Sequence, residues 1–277
     1  MLNLTNKRIP QQLSCSTVCF RDRSLADALK TIEAMGFQSV DLAALAGLCE
    51  HIPPQAETHK LTAASIVLKN STLRFTSINA DTGSFNSDID NNMIYQRVTK
   101  LSRFASEHQI PLIVLTSGEK EQPDDDVVTQ IRCVAEGLAR CYELGAAYGV
   151  EIAVEAPHFF RLVNTPERVN LLDKLLDPRV KFIFDTSHIR APGQNVSLSY
   201  QSFAKRTRLI HLRDAVDGDI RRVIGDGDIN FRDFFETAAS LGYDGDYVLE
   251  LETHNSPFAT KDEEVSDAVR RLSPLLA

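Results

Sequence analysis

The sequence predicts an α/β chain folded as one (β/α)8 barrel, with eight parallel strands ringed by helices. Three observations carry this expectation. Short apolar runs alternate with segments of helical periodicity along the 277 residues, at roughly the thirty-residue spacing of a βα unit. The alternation reaches eight strands and eight helical segments, and no Gly-rich dinucleotide fingerprint follows the first strand, so closure is favoured over an open doubly wound sheet. Several of the runs are apolar without interruption, as in strands covered on both faces. Residues 1–277 read as a single domain, since no linker, low-complexity tract or composition shift divides them.

In order, residues 1–10 read as an irregular lead-in and Leu13 to Phe20 as the first strand. Ser24 caps a helix whose Leu25, Ala28, Leu29 and Ile32 recur at helical spacing, and Gly36 ends it. Val40 to Leu42 make a second strand, Glu57 to Ser71 a helix, Leu73 to Asn79 a third strand and Asp90 to Glu107 a helix. Pro111 to Thr116 form a strongly apolar fourth strand, Val127 to Tyr148 a long helix closed by Gly149, and Val150 to Glu155 the fifth strand. Thr165-Pro166-Glu167 combines an N-cap, a first-turn proline and an early acid, which predicts a helix running to about Leu176. Val180 to Asp185 is the sixth strand, Ser199 to Lys205 a short helix, and Leu209 to Leu212 the seventh strand. Phe231 to Leu241, Tyr247 to Leu251 and Asp262 to Leu272 supply the next helix, the eighth strand and the closing helix.

Composition narrows the function classes. With 30 basic against 38 acidic side chains the net charge is −8, and no Lys/Arg block offsets it. Such a chain is repelled by phosphate backbones, so no nucleic-acid partner is expected. No apolar run is long enough to span a bilayer, and the N-terminus carries no leader pattern. Five cysteines form neither a disulfide framework nor a zinc knuckle, so reduced thiols and a cytoplasmic location are the expectation. Cys15 and Cys19 are read as packing residues.

The chemistry is concentrated at strand ends. Phe182-Ile183-Phe184 runs straight into Asp185, and the pattern recurs at Ile152-Ala153-Val154-Glu155, Leu209-Ile210-His211 and Tyr247-Val248-Leu249-Glu250. A carboxylate closing a buried strand must be paired, hydrogen-bonded or metal-bound. In a barrel the C-terminal strand ends converge on one mouth, so Glu155, Asp185, His211 and Glu250 are expected side by side. Three carboxylates and one imidazole suit Mn²⁺, Mg²⁺ or Co²⁺, with Zn²⁺ also admissible. The competing account is a set of separate ion pairs, each acid with its own Arg or Lys. His188 and His158 follow Asp185 and Glu155 by three residues, which places them where they could face the same cavity as substrate contacts. Glu252 lies two beyond Glu250 and would share its face in a continuing strand; Glu250 is preferred because it ends the apolar run. Arg213 is read as reaching a substrate oxygen or joining a rim salt bridge, and Asp214 as orienting a ligand. Gly225-Asp226-Gly227 reads as a structural turn rather than a phosphate cradle.

Glu155, Phe184-Asp185-Thr186-Ser187-His188, His211-Leu212-Arg213-Asp214, the Gly225 to Phe231 stretch and Leu249-Glu250 resemble the xylose isomerase-like TIM-barrel superfamily. That group includes sugar phosphate isomerases/epimerases, ketose 3-epimerases, inosose dehydratases and endonuclease IV. The resemblance covers essentially the whole chain. It implies that Glu155, Asp185, His211 and Glu250 hold one divalent metal, with manganese preferred. It also implies that Glu155 and Glu250 are an acid/base pair, and that His188 and Arg221 touch substrate. Endonuclease IV carries a histidine ligand where Arg221 stands, and no histidines end the second and third strands here; both departures argue against an abasic-site nuclease.

The implied enzyme is a metal-dependent isomerase or epimerase of a small-molecule ketose or sugar phosphate. A carboxylate removes the proton beside a metal-polarised carbonyl, giving an enediolate held by the metal. Return of the proton from the other face epimerises the centre, and loss of a β-hydroxyl dehydrates the sugar instead. An inosose or dehydroshikimate type of dehydratase is therefore the alternative on the same site, and a non-catalytic sugar sensor the alternative outside enzymes. Barrels of this kind often pair through rim or helix surfaces, which makes a homo-oligomer possible.

Overall fold

The computed structural model describes residues 9–87, 91–254 and 256–276. Most of the lead-in expected over residues 1–10, and the helix start expected at Asp90, lie outside them. Eight parallel strands close into a barrel: β1 (Leu13–Ser16), β2 (Ser39–Ala44), β3 (Arg74–Ala80), β4 (Leu112–Thr116), β5 (Glu151–Glu155), β6 (Lys181–Asp185), β7 (Thr207–Leu212) and, after a two-stranded antiparallel ribbon of β8 (Asp214–Val216) and β9 (Asp219–Arg222), β10 (Tyr247–Leu249). Neighbours in the barrel follow chain order, and β10 closes the ring by pairing with β1, Leu13 opposite Tyr247. The expected (β/α)8 TIM-barrel architecture is the one observed.

The outer layer comprises α1 (Leu25–Ala34), α2 (Thr58–Leu68), α3 (Asn92–Glu107), α4 (Val127–Ala146), α5 (Pro166–Leu175), α6 (Thr186–Arg190), α7 (Val196–Phe203), α8 (Phe231–Ser240) and α9 (Lys261–Leu272). Their starts follow local chemistry. The Ser24 hydroxyl accepts from Asp27 N, Thr165 from Arg168 N and Asn230 from Asp233 N, each satisfying an amide the first turn leaves unpaired.

Strand alternation builds the site. The barrel interior holds Leu112, Val114, Ala153, Ile183, Leu209 and Val248, which pack together. Their strand neighbours Ile113, Ile152, Val154, Phe182, Phe184, Ile210, Tyr247 and Leu249 point outward into the larger core shared with the helices. Side chains two residues apart share a face. Glu155 is two beyond Ala153, Asp185 two beyond Ile183, His211 two beyond Leu209 and Glu250 two beyond Val248. One inward apolar layer therefore positions the next layer, which is polar. Outside the barrel, Phe184 stacks on Phe234 at 5.8 Å and meets Tyr200 edge-on at 5.0 Å, fixing β6 against α7 and α8.

Some boundaries differ from expectation. The first strand ends at Ser16, where the hydroxyl accepts from Val18 N and the chain enters a 3-10 turn, Thr17–Phe20; Cys19 therefore packs in that turn, with Cys15 in the strand. The short helix begins at Val196 because Asn195 caps it at Leu198 N. The ribbon β8–β9 and helix α6 were not anticipated. Asp185 itself starts α6 by accepting from Ser187 N.

Candidate metal centre

Glu155, Asp185, His211 and Glu250 each offer a ligand atom, and these atoms all lie within 4.8 Å of one another. All four side chains are buried. His211 Nδ1 stands 3.2 Å from Glu155 Oε1 and 3.1 Å from Glu250 Oε2. Glu250 Oε1 accepts from Asn79 Nδ2 at 2.9 Å. Asp185 Oδ1 accepts from Ser187 N, Ser187 Oγ and His188 N, which leaves Oδ2 aimed at the centre.

Arg213 tests the competing account of separate ion pairs. Its Nη2 donates to Glu250 Oε2 at 2.6 Å and Asp185 Oδ2 at 3.0 Å, and its Nη1 lies 3.3 Å from Glu252 Oε1. One guanidinium thus serves three carboxylates, and none of the four clustered residues has an arginine of its own. Counting Glu155, the site holds four carboxylates against one fixed positive charge. Buried negative charge in excess of its counter-charge is what a divalent cation relieves. The oxygen-rich donor set with one imidazole nitrogen fits such an ion.

The titration behaviour follows. Burial opposes charge on Glu250, but His211 and Arg213 outweigh it and hold its carboxyl down at about 2. Burial also opposes ionisation of Asp185, yet Arg213, His188, His211 and the Ser187 hydrogen bond hold it well below the usual carboxylate range. Burial disfavours a charged His211, but Glu250 and Glu155 push its pKa well up. Without a metal, an imidazolium supplies the second positive charge.

His158 and His188 close one side of the mouth, with ring centroids 4.0 Å apart. His188 Nδ1 accepts from Phe159 N at 3.2 Å and His158 Nδ1 from Phe160 N at 3.3 Å. A neutral ring that accepts at Nδ1 carries its proton on Nε2. His158 stays neutral because burial, and with it the nearby Arg161 and Arg213 charges, hold its pKa well below normal, against Asp185. Both rings therefore direct an Nε2–H inward. His188 Nε2 is buried without a protein partner, and His158 Nε2 lies 3.7 Å from Glu155 Oε2.

Above this floor opens a cavity of about 430 Å³, lined by Glu155, His158, His188, Arg213, Arg221 and Glu250 among others. Polar-floored clefts of this size suit small molecules. Arg213 reaches the wall, but its Nη atoms are engaged by carboxylates rather than free for a ligand. Glu252 sits on the same side as Glu250, nearer the opening and outside the four-residue cluster. Asp214 does not orient a ligand: it accepts from the backbone amides of Gly225, Gly227, Ala215 and Ile229. The Gly225-Asp226-Gly227 turn therefore wraps a carboxylate of its own chain. A Cβ at Gly227 would lie 2.1 Å from Asp214 Oδ1, so the turn requires glycine there.

Two groups of wall residues were not foreseen. Asn79 is the penultimate residue of β3, and the Phe75-Thr76-Ser77-Ile78 stretch before it is mixed, so no apolar run in the sequence marks it. Arg161, paired with Asp81 at 3.0 Å and with Glu119, comes from an irregular loop without a periodic pattern to place it.

The profile of the family described as xylose isomerase-like TIM barrel matches residues 29–275. The chain belongs to the xylose isomerase-like TIM barrel family. Solved structures with the same architecture include the IolI protein with a bound zinc atom (TM-score 0.76, 17% identity, covering 96% of this chain and 98% of that one). Another is a D-psicose 3-epimerase with D-tagatose from Clostridium cellulolyticum (TM-score 0.76, 16% identity, covering 96% and 99%). At such identities the likeness is one of fold. Among curated relatives, an inosose dehydratase of Geobacillus thermodenitrificans is 29% identical over 136 residues, 42% of this chain and 45% of that protein. An L-ribulose-5-phosphate 3-epimerase of Salmonella paratyphi A is 24% identical over 165 residues, 58% of this chain and 57% of that protein. This family member thus spans about half the length of the curated relatives it matches. Its relatives are sugar-processing enzymes. No helix among the described residues is long and apolar enough to cross a membrane.

Proposed function

We propose that this chain is a divalent-metal-dependent isomerase or epimerase of a ketose or sugar phosphate. Glu155, Asp185, His211 and Glu250 would hold one cation, with Mn²⁺ the expected ion on the oxygen-rich donor set. The observation that carries the reading is the pair of carboxylates flanking His211 Nδ1, Glu155 at 3.2 Å and Glu250 at 3.1 Å. They come from β5 and from just beyond β10, which β6 and β7 separate in the barrel. Two carboxylates opposed across one point, below a cavity of sugar size, are what removal and return of a proton on opposite faces requires.

When bound, the cation polarises a carbonyl and its neighbouring hydroxyl and so acidifies the intervening C–H. The protein's own groups divide the remaining work. Glu155 is the better base, because its oxygens contact only the His211 and His158 rings, whereas Glu250 is tied by Asn79 and Arg213. Glu250, on the other side of the same point, completes the acid/base pair; His211 and Arg213 hold it ionised in the metal-free site, so it must first take up a proton before it can return one. The Nε2–H groups of His188 and His158 hold substrate oxygens, and the orphaned His188 Nε2 has that capacity to spare. Arg221 bounds the far wall.

Incubation with Mn²⁺ and a ketose panel in D₂O tests the reading, followed by NMR of the recovered sugars. Deuterium beside the carbonyl is expected in at least one ketose and its epimer or isomer. No exchange with any ketose overturns it. A second reading, dehydration, is favoured by the match to inosose dehydratase over 136 residues. It begins with the same proton removal but ends in loss of water, so an ultraviolet-absorbing unsaturated product in place of a deuterated sugar would select it.

A further inference from the structure

Five basic and five acidic side chains line the cavity, but they are not paired one to one. Its carboxylates are all engaged: Asp81 and Glu119 with Arg161, Glu252 and Glu250 with Arg213, and Glu155 with His211 and His158. Three cations of the same wall, Arg21, Lys120 and Arg221, have no carboxylate partner among the described residues. Arg21 Nη1 is buried without a hydrogen bond. Arg221 lies over the Phe160 ring at 5.8 Å, with its Nη1 3.3 Å from the His254 ring nitrogens, so its nearest neighbours neutralise nothing. Lys120 is exposed and Arg21 and Arg221 are partly buried, so all three remain open to an anionic ligand entering the cavity.

These cations come from three separate loops. Arg21 follows the 3-10 turn after β1, Lys120 lies beyond β4, and Arg221 is on β9. They stand in the same cavity as the acidic cluster at its floor. We infer that the substrate is a phosphate monoester, its carbonyl end on the Glu155–Glu250 floor and its phosphate held by Arg21, Lys120 and Arg221. A phosphate dianion offers oxygens in several directions and the charge to engage three cations; a carboxylate has one charge and two oxygens and would satisfy a single arginine fork. The inference rests on the sugar-transforming reading above and narrows it to phosphorylated substrates.

The test measures binding, so that it stands apart from turnover. Mn²⁺-loaded protein is titrated calorimetrically with a ketopentose 5-phosphate, with the same ketopentose lacking phosphate, and with a sugar acid ending in a carboxylate. The phosphate ester is expected to bind at least about tenfold tighter than the other two, as a charge-assisted contact implies. Arg21→Gln and Arg221→Gln should each lower the phosphorylated-to-neutral affinity ratio by about tenfold, with partial recovery in Arg221→Lys. Retention of the Mn²⁺-induced rise in melting temperature confirms that each variant keeps its fold and floor. Equal affinity for the phosphorylated and neutral sugars, preference for the carboxylate, or variants that weaken both sugars alike would overturn the inference. Absence of deuterium exchange despite selective phosphate binding would overturn the reaction but not the anion site.

Discussion

Removing Arg213 is the sharpest perturbation of this site. Its guanidinium, 4% exposed, contacts Glu250, Asp185 and Glu252 at 2.6, 3.0 and 3.3 Å. In Arg213→Met the volume is roughly kept, but three buried carboxylates lose their shared counter-charge. Breaking a buried ion pair from one side costs about 3–5 kcal/mol. For a chain of this size that is a fall in melting temperature of roughly 10 °C. The loss should appear in full in the presence of a chelator. A divalent cation would compensate Glu250 and Asp185 directly, and it would no longer compete with Arg213 for Glu250 Oε2. Mn²⁺ should therefore stabilise the variant more than the parent, by mass action on the folded state. Thermal and urea unfolding of both proteins, with chelator and across a Mn²⁺ titration, measure this. A chelated variant as stable as the parent, or a deficit that Mn²⁺ leaves unchanged, would refute the reasoning.

Glu155→Gln removes the better-placed base and should cut deuterium exchange by about 10²–10⁴-fold, read by NMR on Mn²⁺-loaded protein. Metal-free stability should fall in acid. Because Glu250 is held at about 2 against an ordinary 4.5, its contribution of about 3 kcal/mol is present above pH 4.5 and lost as pH drops toward 2; urea midpoints between pH 5 and 3 that do not move would contradict it. Asp41 carries the opposite sign. Fully buried on β2, with hydroxyl donors Ser16 and Ser77 at 2.7 and 2.6 Å, it is pushed from 3.8 up to about 6 by burial. Its ionisation costs stability as pH rises through that window. Asp41→Asn should stabilise the protein by up to about 3 kcal/mol at pH 8 and by nothing at pH 3, which paired unfolding curves at the two pH values would check.

The four clustered residues were legible because strand alternation is a local code. An uninterrupted apolar run ending in Glu or Asp has one economical explanation in a buried strand, and Asp185 and Glu250 announce themselves that way. Asn79 lacks that signature, because Thr76 and Ser77 interrupt the run before it, and only the fold brings its amide to Glu250. Asp214 shows the reverse: beside His211 it looked functional, yet its partners are amides eleven to fifteen residues downstream. Helix α6 is hard to read from the sequence because its cap, Asp185, is also the last residue of β6, so no residue lies between strand and helix.

The sequence alone determined the succession of strands and helices, the closure it favours, and which carboxylates are buried at strand ends. Those properties depend on period-two and period-3.6 patterning and on the cost of dehydrating a charge, both of which act over a few residues. Only the tertiary structure decided who meets whom: that Arg213 joins Asp185 to Glu250 and Glu252, that Asn79 reaches Glu250 from 171 residues away, and that Arg21, Lys120 and Arg221 share one cavity. Such meetings are set by the curvature of the closed sheet and the paths of its loops, and nothing along the chain encodes a distance between residues that ring closure brings together.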